Sequence, residues 1–210
     1  MASGVRFNED YLDFCSDINK MGRVLALCGS MDSFAAGLRV QDAPPGTRWQ
    51  YVLIDTHLLG MMIRGATGQD IASLMKEKII VPMGLEADPY YVTDGLGEPF
   101  VLGGLNLPTR DYARIGQRVL QKGQWNGHQI VVADWLAQAT TSSAPGGVMY
   151  GFQFWMPPVP TPGEGIYGQY IYINPGLNVV IAVNSADRGF EDPGVHDGTI
   201  AMLRQIASGL

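Results

Sequence analysis

A change of hydrophobic period near residue 148 constrains this fold more than any other feature of the chain. Before it, apolar residues recur at helical spacing, as in Ile54, Leu58, Met61 and Met62, and again in Tyr112, Ile115, Gly116, Val119 and Leu120. After the Ser/Pro/Gly-rich stretch Ser142 to Gly147 the period drops to two, with Tyr150, Phe152 and Phe154 alternating on one face. Helices bring residues three and four apart to one side, whereas strands alternate sides. Two further strands are expected over 166–173 and 178–184, joined by Asn174-Pro175-Gly176-Leu177 as a type II turn. The second of them, Asn178 to Asn184, is apolar on both faces, which predicts a sheet covered on both sides. Residues 195–208 close the chain as a helix with Ile200, Leu203 and Ile206 inward. The order is a mostly helical region, 1–147, followed by a three-stranded antiparallel meander and a C-terminal helix, 148–210. That is an α+β class, and 210 residues suit one domain.

Local signals place the helices. Asp32 is an N-cap candidate for a short helix ending at Gly37, and Thr67 and Asp70 precede a helix over 69–80 that Pro82 and Gly84 end. Thr109 is the expected cap of the helix that Gly123 ends. Trp125-Asn126-Gly127 reads as a turn before a short helix near 134–140.

Composition removes several function classes. The chain is 46% hydrophobic and 16% charged, as a packed globular protein is. A net charge of −6, with Lys and Arg scattered singly, disfavours nucleic acid and membrane surfaces as partners. No run reaches the roughly 18 apolar residues of a spanning helix, and the first ten residues lack the basic and apolar regions of a secretory leader. Cys15 and Cys28 are expected as buried or half-buried free thiols. His57, His128 and His196 lack metal-ligand spacing, and no glycine-rich phosphate loop is present, so neither a metal nor a cofactor is expected.

The motif carrying most chemical information is Pro45-Gly46-Thr47-Arg48-Trp49-Gln50-Tyr51, followed by an apolar helical run and then Gly65-Ala66-Thr67-Gly68. Three more follow in order: Gly103-Gly104-Leu105…Arg110-Asp111, Trp125-Asn126-Gly127…Gln129-Ile130 and Gly165…Tyr167-Gly168-Gln169. Together they resemble the class C-like branch of the serine β-lactamase and penicillin-binding-protein superfamily, which also contains esterases and 6-aminohexanoate-dimer hydrolases. The resemblance implies a β-lactamase/transpeptidase-like fold, here without the N-terminal strands and nucleophile helix. It also implies acyl transfer on a small-molecule amide or ester through a serine ester.

By that resemblance Tyr51 is the proton-shuttling tyrosine. Glu164, Gly165 and Ile166 stand at the substrate-binding strand triplet, followed by Tyr167, whose backbone N–H would complete the oxyanion hole, and Gln169. Two departures stand out. Leu53 occupies a position where the family usually has Asn, and Glu164 one where it has Lys or His, so a substrate carboxylate would be repelled there.

The family's Ser-x-x-Lys pair should precede the tyrosine, and none of the fifty residues before Tyr51 supplies it. Ser73-Leu74-Met75-Lys76 has the spacing but follows Tyr51, and it lies opposite the apolar face of Ile71, Leu74, Met75 and Ile79. A water-exposed lysine there keeps a pKa near ~10.4, too high for a base near neutrality. The chain is therefore expected to be inactive alone. A non-catalytic ligand-binding module and a truncated product are the alternatives, with self-association through exposed sheet surface.

Overall fold

The computed structural model describes residues 1–156, 167–190 and 192–209. Its α-helices are α1 (Asp17–Ala26), α2 (Met31–Gly37), α3 (Leu53–Thr67), α4 (Ile71–Met75), α5 (Val81–Met83), α6 (Thr109–Leu120), α7 (Ala133–Ala139) and α8 (Pro193–Ser208). A π-helical turn, Lys76–Ile80, lies between α4 and α5. The strands are β1 (Tyr90–Tyr91), β2 (Leu105–Asn106), β3 (Gln124–Trp125), β4 (His128–Gln129), β5 (Tyr170–Asn174) and β6 (Val179–Val183). Among the described residues they pair as antiparallel neighbours: β1 with β2, β3 with β4, and β5 with β6. The mixture of helices and short antiparallel sheets is the expected α+β class.

The chain divides into two compact units. The first comprises 1–79, 88–106 and 144–147. Its core is Phe7, Ile18, Met21, Met31, Ala35, Val52 and Ile54. Helix α3 enters this core because Ile54, His57 and Gly60 fall on one face, and Val101 lies so near Gly60 that a Cβ there would meet it at 2.8 Å. Met62, counted in the apolar stripe, faces out instead.

The second unit comprises 80–87, 107–143 and 148–210. Its centre is the β5–β6 hairpin, in register from Tyr170↔Val183 to Asn174↔Val179. Helix α6 sits on the face carrying Ile171, Ile173 and Val180, at Gly116, where a Cβ would come within 2.6 Å of Val180 and 2.8 Å of Ile171. On the opposite face the Tyr170 ring stacks on His196 of α8. The apolar strand is thus covered on both sides, as its composition requires.

Several local expectations are corrected. Tyr150–Phe154 does not form a third strand; among the described residues it contributes one bridge, Tyr150↔Trp155, because Gln153 turns the chain back at φ 63°. The β5–β6 turn is not type II: the left-handed residue is Asn178 (φ 55°), not Gly176, giving a four-residue loop, 175–178. Ser30, not Asp32, caps α2, accepting from the Ser33 N–H. Pro108, not Thr109, precedes α6 without a side-chain cap. In α8 the inward positions are His196, Leu203 and Ala207, with Ile206 outward. Both cysteines are free and exposed rather than buried.

Candidate functional site

Tyr51 is half-buried, two residues before α3. The residue at the helix N-cap is Val52 (φ −138°, ψ 122°), whose side chain can accept no hydrogen bond. The orphan donors of the first turn therefore need outside acceptors. Glu9 supplies one, its Oε2 accepting from the Leu53 N–H at 3.3 Å. Burial pushes the Glu9 carboxyl up to about 7, against the Leu53 N–H and the Tyr11 hydroxyl, which favour the anion; the Asp55 charge raises it further. A carboxyl titrating near neutrality thus touches the backbone just after the motif tyrosine. It contacts the chain at the Leu53 N–H. Glu9 stands beside Asp10 in the polar run Asn8-Glu9-Asp10 between Phe7 and Tyr11, a signal too common to single it out.

A second polar group lies in the same unit. Asp32 Oδ1 is 2.9 Å from His57 Nε2, and Asp32 Oδ2 accepts from Arg64 at 2.6 Å. Arg64 also reaches Glu98 at 2.6 Å. A carboxylate only accepts, so the His57 proton sits on Nε2. Asp94 accepts from the backbone N–H groups of Met31, Leu96 and Glu98. Burial opposes its charge, but these three donors win and hold the carboxyl below its ordinary value. Asp32 and Asp94 tie α2, α3 and the loop 93–99 together, which is a structural task.

In the other unit Tyr167 is exposed, with a left-handed backbone (φ 65°), and precedes β5 outside the β5–β6 ladder. Its carbonyl accepts from the Asp187 N–H at 3.0 Å, and its ring meets Phe190 edge-on at 5.3 Å. Gly168 follows at φ 75° and Gln169 is exposed. Glu164, Gly165 and Ile166 lie outside the described residues. Tyr51 belongs to one compact unit, Tyr167 and Gln169 to the other.

Ser73 and Lys76 are both exposed. The family-like Asp111 is buried and accepts from the Glu86 N–H through both oxygens at 3.1 Å while pairing with Arg114. It fastens the loop before β1 to α6. Among the described residues no group of three His, Cys, Asp or Glu side chains could hold a metal ion, and no helix is long and apolar enough to cross a membrane.

A family model described as Beta-lactamase matches residues 1–204. The chain is 25% identical over 202 residues to the 6-aminohexanoate-dimer hydrolase of Paenarthrobacter ureafaciens, covering 86% of this chain and 51% of that protein. Among solved structures, it resembles a Bacillus anthracis protein assigned as a 6-aminohexanoate-dimer hydrolase, with TM-score 0.80 and 27% identity over 97% of this chain and 58% of that one. A Bacteroides dorei protein assigned as a β-lactamase shares the fold, with TM-score 0.58 and 18% identity over 95% of this chain and 69% of that one. The chain spans about half the length of the curated relative it matches.

Proposed function

The chain belongs to the Beta-lactamase family, and from that premise we propose that it is part of a serine hydrolase acting on a small-molecule amide or ester through a serine ester. The observation that carries this reading is the likeness, over 97% of the chain, to a protein assigned as a 6-aminohexanoate-dimer hydrolase. In this reading Tyr51 is the proton-shuttling group, while the segment around Glu164, Gly165 and Ile166, with Tyr167 and Gln169, is the substrate-binding edge. The attacking serine and its lysine are not among these 210 residues in the required order. Ser73 and Lys76 do not replace them, since both are exposed and both follow Tyr51 in the chain.

Loss of the nucleophile from a serine hydrolase costs about 10⁶ in rate. The 210-residue chain is therefore expected to show no turnover of an activated ester, a chromogenic β-lactam or the 6-aminohexanoate dimer, and no acylated serine by intact mass spectrometry. A covalently labelled serine in this chain would overturn the inactivity. Fusion to a Ser-x-x-Lys-bearing segment of a relative should give hydrolysis that Tyr51→Phe lowers by roughly 10²-fold or more. Activity indifferent to Tyr51→Phe would remove Tyr51 from the chemistry.

A non-catalytic ligand-binding role is the second reading. It is favoured by Leu53 and Glu164, which replace the polar and cationic groups the chemistry uses elsewhere in the family.

A further inference from the structure

Arg118 is only 4% exposed, yet its Nε, Nη1 and Nη2 atoms have no hydrogen-bond partner, and it forms no ion pair among the described residues. It lies on the buried face of α6, seven residues after Asp111, whose carboxylate is already engaged by Arg114 and the Glu86 N–H. The Trp125 ring of β3 lies over the guanidinium, 4.6 Å from its carbon. Stacking on an aromatic face satisfies the flat side of a guanidinium but none of its in-plane N–H donors.

Burial pushes the Arg118 guanidinium below its ordinary value, yet an arginine does not lose its proton in proteins, so the charge stays. A buried charge with no partner is costly, so such an arrangement persists where something else completes it. The scaffold around it is well anchored. The Arg118 carbonyl accepts from the Gly123 N–H at 2.9 Å, and the Gln129 amide donates to the carbonyls of Lys122 and Val131. Beside this ring a hollow of about 360 Å³ is lined by Gln121, Gln124, Trp125, Asn126 and Gly127. Its polar lining is side-chain amide, which can donate to an anion without adding charge.

We propose that Arg118, covered by Trp125, is a binding site for a carboxylate ligand that enters from the hollow bounded by the β3–β4 hairpin. One guanidinium balances one negative charge, and its coplanar N–H pairs match the two oxygens of a carboxylate. The Arg118 nitrogens are buried, so the carboxylate would reach the guanidinium edge by a shift of the hairpin side chains while the indole keeps the flat face covered. The site lies within the second unit and stands apart from the hydrolase reading.

The test is heteronuclear NMR of the full 210-residue chain, titrated with sodium acetate at constant ionic strength held with chloride. The Arg118 Nε–H resonance is assigned by its loss in Arg118→Met, and the Trp125 indole N–H by its loss in Trp125→Phe. Saturable shifts of both resonances are expected with acetate, and in Arg118→Met the Trp125 response should vanish. Arg118→Lys keeps the charge but loses the paired donors, so its acetate affinity should fall roughly tenfold. The proposal is overturned if Arg118 shows no saturable shift, or if Trp125 responds equally in Arg118→Met. Equal affinity in Arg118→Lys, or phosphate or chloride acting as well as acetate, would overturn it too.

Discussion

At the scale of single residues, the chain's chemistry turns on side chains whose surroundings oppose their ordinary charge. Glu9 is the clearest case, a carboxyl raised to about 7 mainly by burial. Its folded pKa lies above the ordinary value of 4.5, so between 4.5 and about 7 the folded chain holds a proton that the unfolded chain has released. Stability from this group is full below 4.5 and is lost as pH rises through 7. Glu9→Gln should therefore stabilise the protein above pH 7 by on the order of 1–2 kcal/mol, after discounting for solvent screening, and change little below 4.5. Urea melts across that pH range check it, and an equal effect at both ends would refute it. Asp32 is held by contacts instead, with two partners on α3. Asp32→Ala leaves His57, only 2% exposed, without its Nε2 partner, and should cost about 2–3 kcal/mol by denaturant unfolding.

At the scale of elements, α6 shows what a sequence pattern carries and what it omits. Its extent is legible from apolar spacing, but the helix ends at Leu120 and the first left-handed residue is Lys122 (φ 54°), one before the expected Gly123. The burial of Asp111 and Arg118 is not legible, since both read as the wet face of an amphipathic helix. What decides it is the partner surface: the Glu86 N–H for one, the Trp125 ring for the other. At Gly116 helix and sheet approach so closely that no Cβ fits. Gly116→Val should overpack Val180 and Ile171 and cost about 1–3 kcal/mol. Adding Val180→Ala should recover part of that loss, because the two side chains compete for one volume. A strictly additive double variant, measured by thermal unfolding, would show that the contact is not the cause.

At the scale of the whole molecule, large apolar side chains remain in water. Leu12 is 87% exposed, Phe14 72% and Leu27 79%. The loop bearing the first two is held stiffly. Asp10 Oδ1 accepts from the Leu12 and Asp13 N–H groups, and the Asn19 amide donates to the carbonyls of Asp10, Tyr11 and Asp13. A rigid apolar loop loses little entropy on docking. We expect concentration-dependent self-association that a Leu12→Ser, Phe14→Ser double variant reduces, read by sedimentation velocity. A wild-type chain that stays monomeric at every accessible concentration would contradict this.

The sequence by itself determined most helices, the β5 and β6 strands and the closing helix, in order, with four motifs in the order of one hydrolase family; it expected a third strand at 150–154 that does not form and missed the short pairs β1–β2 and β3–β4. Those signals are local, because periodicity, Gly and Pro act through the backbone within a few residues. Tertiary structure decided which charges are buried and what each one meets. His57 finds Asp32 25 residues away, Asp94 takes the Met31 N–H from 63 residues away, and Glu9 meets the Leu53 N–H across 44. No window of sequence contains both partners of such a bond, and it is the folded contact, not the residue type, that sets the charge and its cost.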